Sequence, residues 1–111
     1  MKTKIGLTVL LLVVSLSAFA VDVGTYRIPT SVKAGGVDVA AGSYLIQIED
    51  GAEGPYVQLS KDGSVVAKEL AIVIPAKGPG KTSVQVATVQ EFVRIRVRQG
   101  ENWYYAYLPK N

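Results

Sequence analysis

Hydrophobic and polar positions alternate along most of the chain with a period of two. The clearest runs are "YLIQIE" (44–49), "YVQLS" (56–60), "TSVQVAT" (82–88), "VRIRVR" (93–98) and "WYYAYL" (103–108), rich in β-branched and aromatic residues. This period sends successive side chains to opposite faces of an extended strand, and such residues suit a pleated, half-buried surface. Turn signals separate the runs. Gly35-Gly36 divides "SVKA" from "VDVA", and Asp62-Gly63 divides "VQLSK" from "SVVAK". Asp-Gly is a strong hairpin signal because both central positions of a type I′ turn need positive φ. "EDGAEGP" (49–55) and "KGPGK" (77–81) predict longer loops. Pro29, Pro75 and Pro109 fall at strand ends, where a missing N–H does least harm.

One run is ambiguous. "SVVAKELAIVIPA" (64–76) holds the helix-favouring Ala-Lys-Glu-Leu-Ala, but Asp62-Gly63 starts it and Ile72-Val73-Ile74-Pro75 ends it, so it reads as strand. No segment shows convincing helical periodicity. The pattern predicts an all-β fold of roughly seven to nine short strands, in a single antiparallel sandwich or small barrel. Greek-key pairing follows because the connections are too short for helical crossovers.

The stretch "VRIRVRQGENWYYAYLP" (93–109) predicts its own register. With Gly100 and Glu101 at the centre of a two-residue turn, glycine takes the first position, as type II′ requires. Val97 then faces Tyr104, Ile95 faces Ala106 and Val93 faces Leu108, which makes one apolar face for the core. On the other face Arg98 meets Trp103, Arg96 meets Tyr105 and Arg94 meets Tyr107. A slip of one residue would destroy this sorting. Such a face has three readings. Arginine–aromatic pairs stabilise a sheet by roughly 0.2–1 kcal/mol each, and arginine stems shield ring edges. Rows of rings can also stack on sugars or bases while arginines contact carboxylates, sulfates or phosphates. Alternatively, Trp, Tyr and Arg anchor a protein partner. Arg94, Arg96, Arg98, Trp103, Tyr105 and Tyr107 are therefore the candidate ligand- or partner-binding residues.

The N-terminus changes the picture of location. Lys2 and Lys4 precede a Leu/Val-rich run, and Ala18-Phe19-Ala20 supplies small residues at the −3 and −1 positions of a cleavage site. This is the three-part pattern of a secretory signal peptide, so residues 1–20 are expected to be removed during export to the periplasm or the medium. The apolar run is too short to span a membrane comfortably, and no span is expected in the mature chain. Cleavage would leave 91 residues (111 less 20), which suits one β-sandwich domain over 21–111.

Charge and residue types then exclude chemistry. Without Lys2 and Lys4, ten basic side chains face nine acidic ones, which is no signature of a nucleic-acid binder. The chain has no cysteine and no histidine, which removes disulfides, Ser-His-Asp and Cys-His nucleophile systems, and the usual zinc and copper ligand sets. Glu49, Asp50 and Glu53 could hold calcium by oxygen ligands, but their spacing fits no EF-hand loop and a solvated acidic turn is the simpler reading. "KGPGK" lacks the strand–loop–helix setting of a phosphate loop. Paired carboxylates could support a small hydrolase, although so short a domain offers little depth for a cleft.

"VDVAAGSYLIQI" (37–48) resembles the G-x-Y strand segment of small exported bacterial β-sandwich modules, the transthyretin-like and carboxypeptidase-regulatory-like type. The resemblance implies a transthyretin-like or immunoglobulin-like sandwich, with Gly42 at a tight entry and Tyr44 beginning a strand. It brings no catalytic residues. The sequence thus leads to an exported, non-enzymatic β-sandwich with a binding or structural role in the cell envelope or outside the cell. No metal or cofactor is expected, and the partner is an unidentified protein or glycan. A carbohydrate-binding module using the arginine–aromatic face is the alternative, and a small hydrolase the third.

Overall fold

The computed structural model describes residues 20–78 and 80–111. The expected signal segment, through residue 19, lies outside the described residues. Ten strands follow one another: β1 (Val21–Ile28), β2 (Val32–Ala34), β3 (Val37–Val39), β4 (Gly42–Gly51), β5 (Gly54–Lys61), β6 (Ser64–Leu70), β7 (Ile72–Pro75), β8 (Ser83–Val89), β9 (Phe92–Gln99) and β10 (Asn102–Pro109).

Two four-stranded antiparallel sheets result, ordered β1-β4-β5-β6 and β7-β10-β9-β8, with β2 and β3 pairing as a separate hairpin. The second order is a Greek key: β8, β9 and β10 follow one another in a meander, and β7 lies beside β10. The fold is all-β, as the pattern predicted, but it has ten strands. The additional one comes from the ambiguous run. Residues 64–76 do not form one strand; the chain leaves the first sheet at Ala71, whose N–H donates to the Pro55 carbonyl at 2.9 Å, and Ile72–Pro75 pairs with β10 in the other sheet.

The turns behave as their residues dictate. Asp62 and Gly63 both adopt positive φ, 53° and 81°, and join Lys61 to Ser64 in a two-residue hairpin. Gly100 has φ 61° and, with Glu101, links Gln99 to Asn102. The register beyond that turn is the one the alternation requires: Val97 opposite Tyr104, Ile95 opposite Ala106, Val93 opposite Leu108.

The core lies between the two sheets. Ile46, Ile48, Val57 and Leu59 face it from β4 and β5, while Val93, Ile95, Val97, Ala106 and Leu108 face it from β9 and β10. Val32, Ala34 and Val39 of the small hairpin join the same core. A fully buried Val, Leu or Ile contributes about 1.5–3 kcal/mol. Tyr44 is also buried, and its hydroxyl donates to the Ala40 carbonyl at 2.6 Å. The tyrosine two residues after Gly42 therefore enters the core and satisfies its polar end locally.

Candidate functional site

Because β9 and β10 turn one set of alternate residues inward, the other set forms the outer face of the second sheet. Arg98 lies opposite Trp103, Arg96 opposite Tyr105 and Arg94 opposite Tyr107. Side-chain geometry refines this register. The Arg96 guanidinium does not sit over Tyr105 but reaches diagonally to the Trp103 ring, 4.4 Å from its centroid. Diagonal neighbours come within reach of long side chains across a twisted antiparallel pair. The Arg98 guanidinium is also near Trp103, at 5.7 Å. The rings run in a row: Trp103 and Tyr105 have centroids 6.4 Å apart with a 47° tilt, and Tyr105 and Tyr107 are 6.4 Å apart and within 9° of parallel. Phe92 meets the end of the row edge-on, 6.2 Å from Tyr107.

The three arginines, alike in sequence, have different surroundings. Arg98 is only 9% exposed. Its Nη2 donates to the Gly78 carbonyl and its Nε to the Gly100 carbonyl at 3.4 Å. Gly80 lies so close over the guanidinium that a Cβ there would meet Arg98 Cζ at 2.8 Å. Gly78 and Gly80 therefore cover Arg98, and a side chain at Gly80 would force the guanidinium to move. Arg96 donates from Nη2 to the Gln85 side chain on β8. The Nε atoms of Arg94 and Arg96 are buried and meet no acceptor, and the ion pairs found among the described residues, Lys33–Asp38 and Lys68–Glu49, lie elsewhere. Of the six predicted residues, five thus share a partly open face, while Arg98 is enclosed at its edge.

Sequence reasoning missed the rest of this face. Once β7 has crossed over, Ile72 lies opposite Tyr105 and Ile74 opposite Trp103. Ile72 is 55% exposed and Ile74 46%, with Phe92 and Tyr107 near 39% and 38%. The available signal was the uncharged Ile-Val-Ile triplet before Pro75, which reads as the end of a strand rather than as a strand in another sheet. The N-terminal strand β1 lies in the opposite sheet and does not pair beside these rings.

The acidic loop is occupied differently from a cation site. Glu49 accepts a hydrogen bond from Lys68 Nζ at 2.9 Å, and Glu53 accepts one from the Tyr56 hydroxyl. That bond to a carboxylate pushes the Tyr56 hydroxyl pKa up. Among the described residues, no group of three or more acidic side chains is placed to hold a metal ion, and no helix is long and apolar enough to cross a membrane.

No protein-family model, curated protein or solved structure matches the chain. The likeness of residues 37–48 to transthyretin-like modules therefore rests on those residues themselves.

Proposed function

We propose that this protein is an exported, non-enzymatic β-sandwich that binds a partner through the outer face of the β7-β10-β9-β8 sheet. One observation carries the reading. A sheet face that sets Arg94 and Arg96, which meet no carboxylate among the described residues, beside exposed Ile72, Ile74, Phe92 and Tyr107 is a surface suited to contact with another molecule. Trp103, Tyr105, Arg94 and Arg96 occupy its middle, and such residues are preferred interface anchors. Export rests on the basic start, the apolar run and the Ala18-Phe19-Ala20 site. Mass spectrometry of periplasmic or secreted protein should find Val21 as the first residue, and an intact Met1 species there would contradict export.

The binding reading is tested by pull-down from the cell's own envelope extract. Wild type should retain a partner that the Arg94→Ser/Arg96→Ser variant does not; equal retention by both would refute it. The row of Trp103, Tyr105 and Tyr107 along β10 supports a second reading, a carbohydrate-binding face, because rows of aromatic side chains can contact successive sugar rings. A glycan array read with the same two proteins separates the two.

A further inference from the structure

We infer that the ligand of this face is an extended acidic polypeptide segment, with an apolar side chain and two carboxylates at alternate positions. This rests on the binding role proposed above and names the partner's chemistry.

Charge comes first. The outward residues of the four strands are Ile72 and Ile74 on β7, Trp103, Tyr105, Tyr107 and Pro109 on β10, Phe92, Arg94, Arg96 and Arg98 on β9, and Ser83, Gln85, Ala87 and Val89 on β8. None is a carboxylate. Arg98 is answered by the backbone carbonyls of Gly78 and Gly100, which leaves Arg94 and Arg96 as the two half-buried cations of this face that meet no carboxylate among the described residues. A second copy of this face would supply these arginines with no carboxylate. The complement must carry carboxylates.

Shape comes second. The outer strands of a four-stranded sheet lie about 14 Å apart, and Phe92 to Arg98 spans about 20 Å. This footprint is well below the roughly 800 Å² per partner of a standard globular interface. It accommodates one extended chain. Arg94 and Arg96 are two residues apart on β9, a spacing of about 6.8 Å, which is also the repeat of alternate side chains in any extended polypeptide. A segment running along β9 therefore sets carboxylates over both arginines in register. Its next inward position falls on the Phe92–Tyr107 edge-on pair, where an apolar side chain buries surface. An anionic sugar chain fits less well. Arg96 already lies against the Trp103 ring, and Ile72 and Ile74 offer hydroxyl-bearing rings neither stacking nor hydrogen bonds.

Trp103 is the chain's single tryptophan, so its fluorescence reports events at this face directly. The purified protein is titrated with capped peptides carrying leucine, glutamate and glutamate at alternate positions between serines, in both chain directions. The same peptides with glutamine for glutamate, and an oligo-uronate, serve as comparisons. We expect one glutamate peptide to change Trp103 emission saturably. The glutamine form and the Arg94→Ser/Arg96→Ser variant should each bind about tenfold more weakly, the effect of losing two exposed charge contacts. Added salt should weaken the glutamate peptide but not the glutamine form. Equal binding of both peptide forms, or no binding of either, overturns the inference. Binding of the oligo-uronate alone overturns the acidic-peptide assignment while leaving the binding role of the face intact. The binding role itself fails only if the envelope pull-down is indifferent to Arg94 and Arg96.

Discussion

The two outer faces of this sandwich come from the same alternating pattern yet are completed in opposite ways. On the first sheet, Gln47 donates to Asp22 at 2.7 Å and accepts from Gln58 at 2.8 Å and Ser60 at 2.6 Å. Lys68 bonds Glu49 and lies over the Tyr56 ring at 4.9 Å. These contacts cross all four strands, and they leave Gln58 only 2% exposed although it points away from the core. The middle of that face is closed by its own polar side chains, and Val65 and Leu70 stay exposed only on the edge strand β6. On the second sheet, Arg94 and Arg96 in the middle of the face meet no carboxylate among the described residues, and Ile72 and Ile74 add exposed aliphatic surface beside the rings. Period-two patterning assigns residues to faces; only the hydrogen-bond partners distinguish a finished face from an unfinished one.

Substitutions can break this comparison in order of expected effect. Both faces depend on the shared core, so Ile95→Ala, at a fully buried site, should cost about 2–5 kcal/mol in denaturant unfolding. Arg98→Ala should cost about 1.5–3 kcal/mol, the range for lost bonds to a charged group, because Arg98 ties Gly78 to the sheet. Gln47→Ala should cost about 1–3 kcal/mol by stranding Gln58 and Ser60. Arg96→Ala should cost under about 1 kcal/mol, since a partly solvated cation–π contact is weak. If Arg96 proved as costly as Gln47, the second face would be as finished as the first.

The smallest effect concerns pH. The hydrogen bond from Lys33, aided by its charge, holds the Asp38 carboxyl below its ordinary value. A lowered folded-state pKa adds stability above the unfolded carboxylate pKa, and that addition is lost as pH falls through the lowered value. Wild type and Lys33→Met should therefore differ slightly in melting temperature at neutral pH and converge in strong acid. A gap that widens in acid would contradict the pairing.

Much of this was legible in the sequence. The register from Val93 to Pro109 could be read because one slip would have exposed Val93, Ile95 and Val97 together. The hairpin at Asp62-Gly63 could be read because the turn chemistry is local. The transfer of β7 to the other sheet could not: Ala71 is an ordinary residue, and the hydrogen bond that marks the crossing joins it to Pro55. The enclosure of Arg98 was equally hidden, since the three arginines occupy equivalent positions in the alternation and only Arg98 lies against Gly78 and Gly80. Identity along a strand follows from nearest neighbours, whereas availability depends on segments remote in sequence.

The central claim is that the unfinished face, and not the finished one, takes the partner. Arg27 offers a matched control, since it is an exposed arginine on β1 in the opposite sheet. Wild type, Arg27→Ser and Arg94→Ser/Arg96→Ser should first show the same strand-dominated circular dichroism and closely similar melting. In side-by-side pull-downs from envelope extract, Arg27→Ser should retain the wild-type partner and the double variant should lose it. Retention by all three proteins, or equal loss from both variants, would contradict the account.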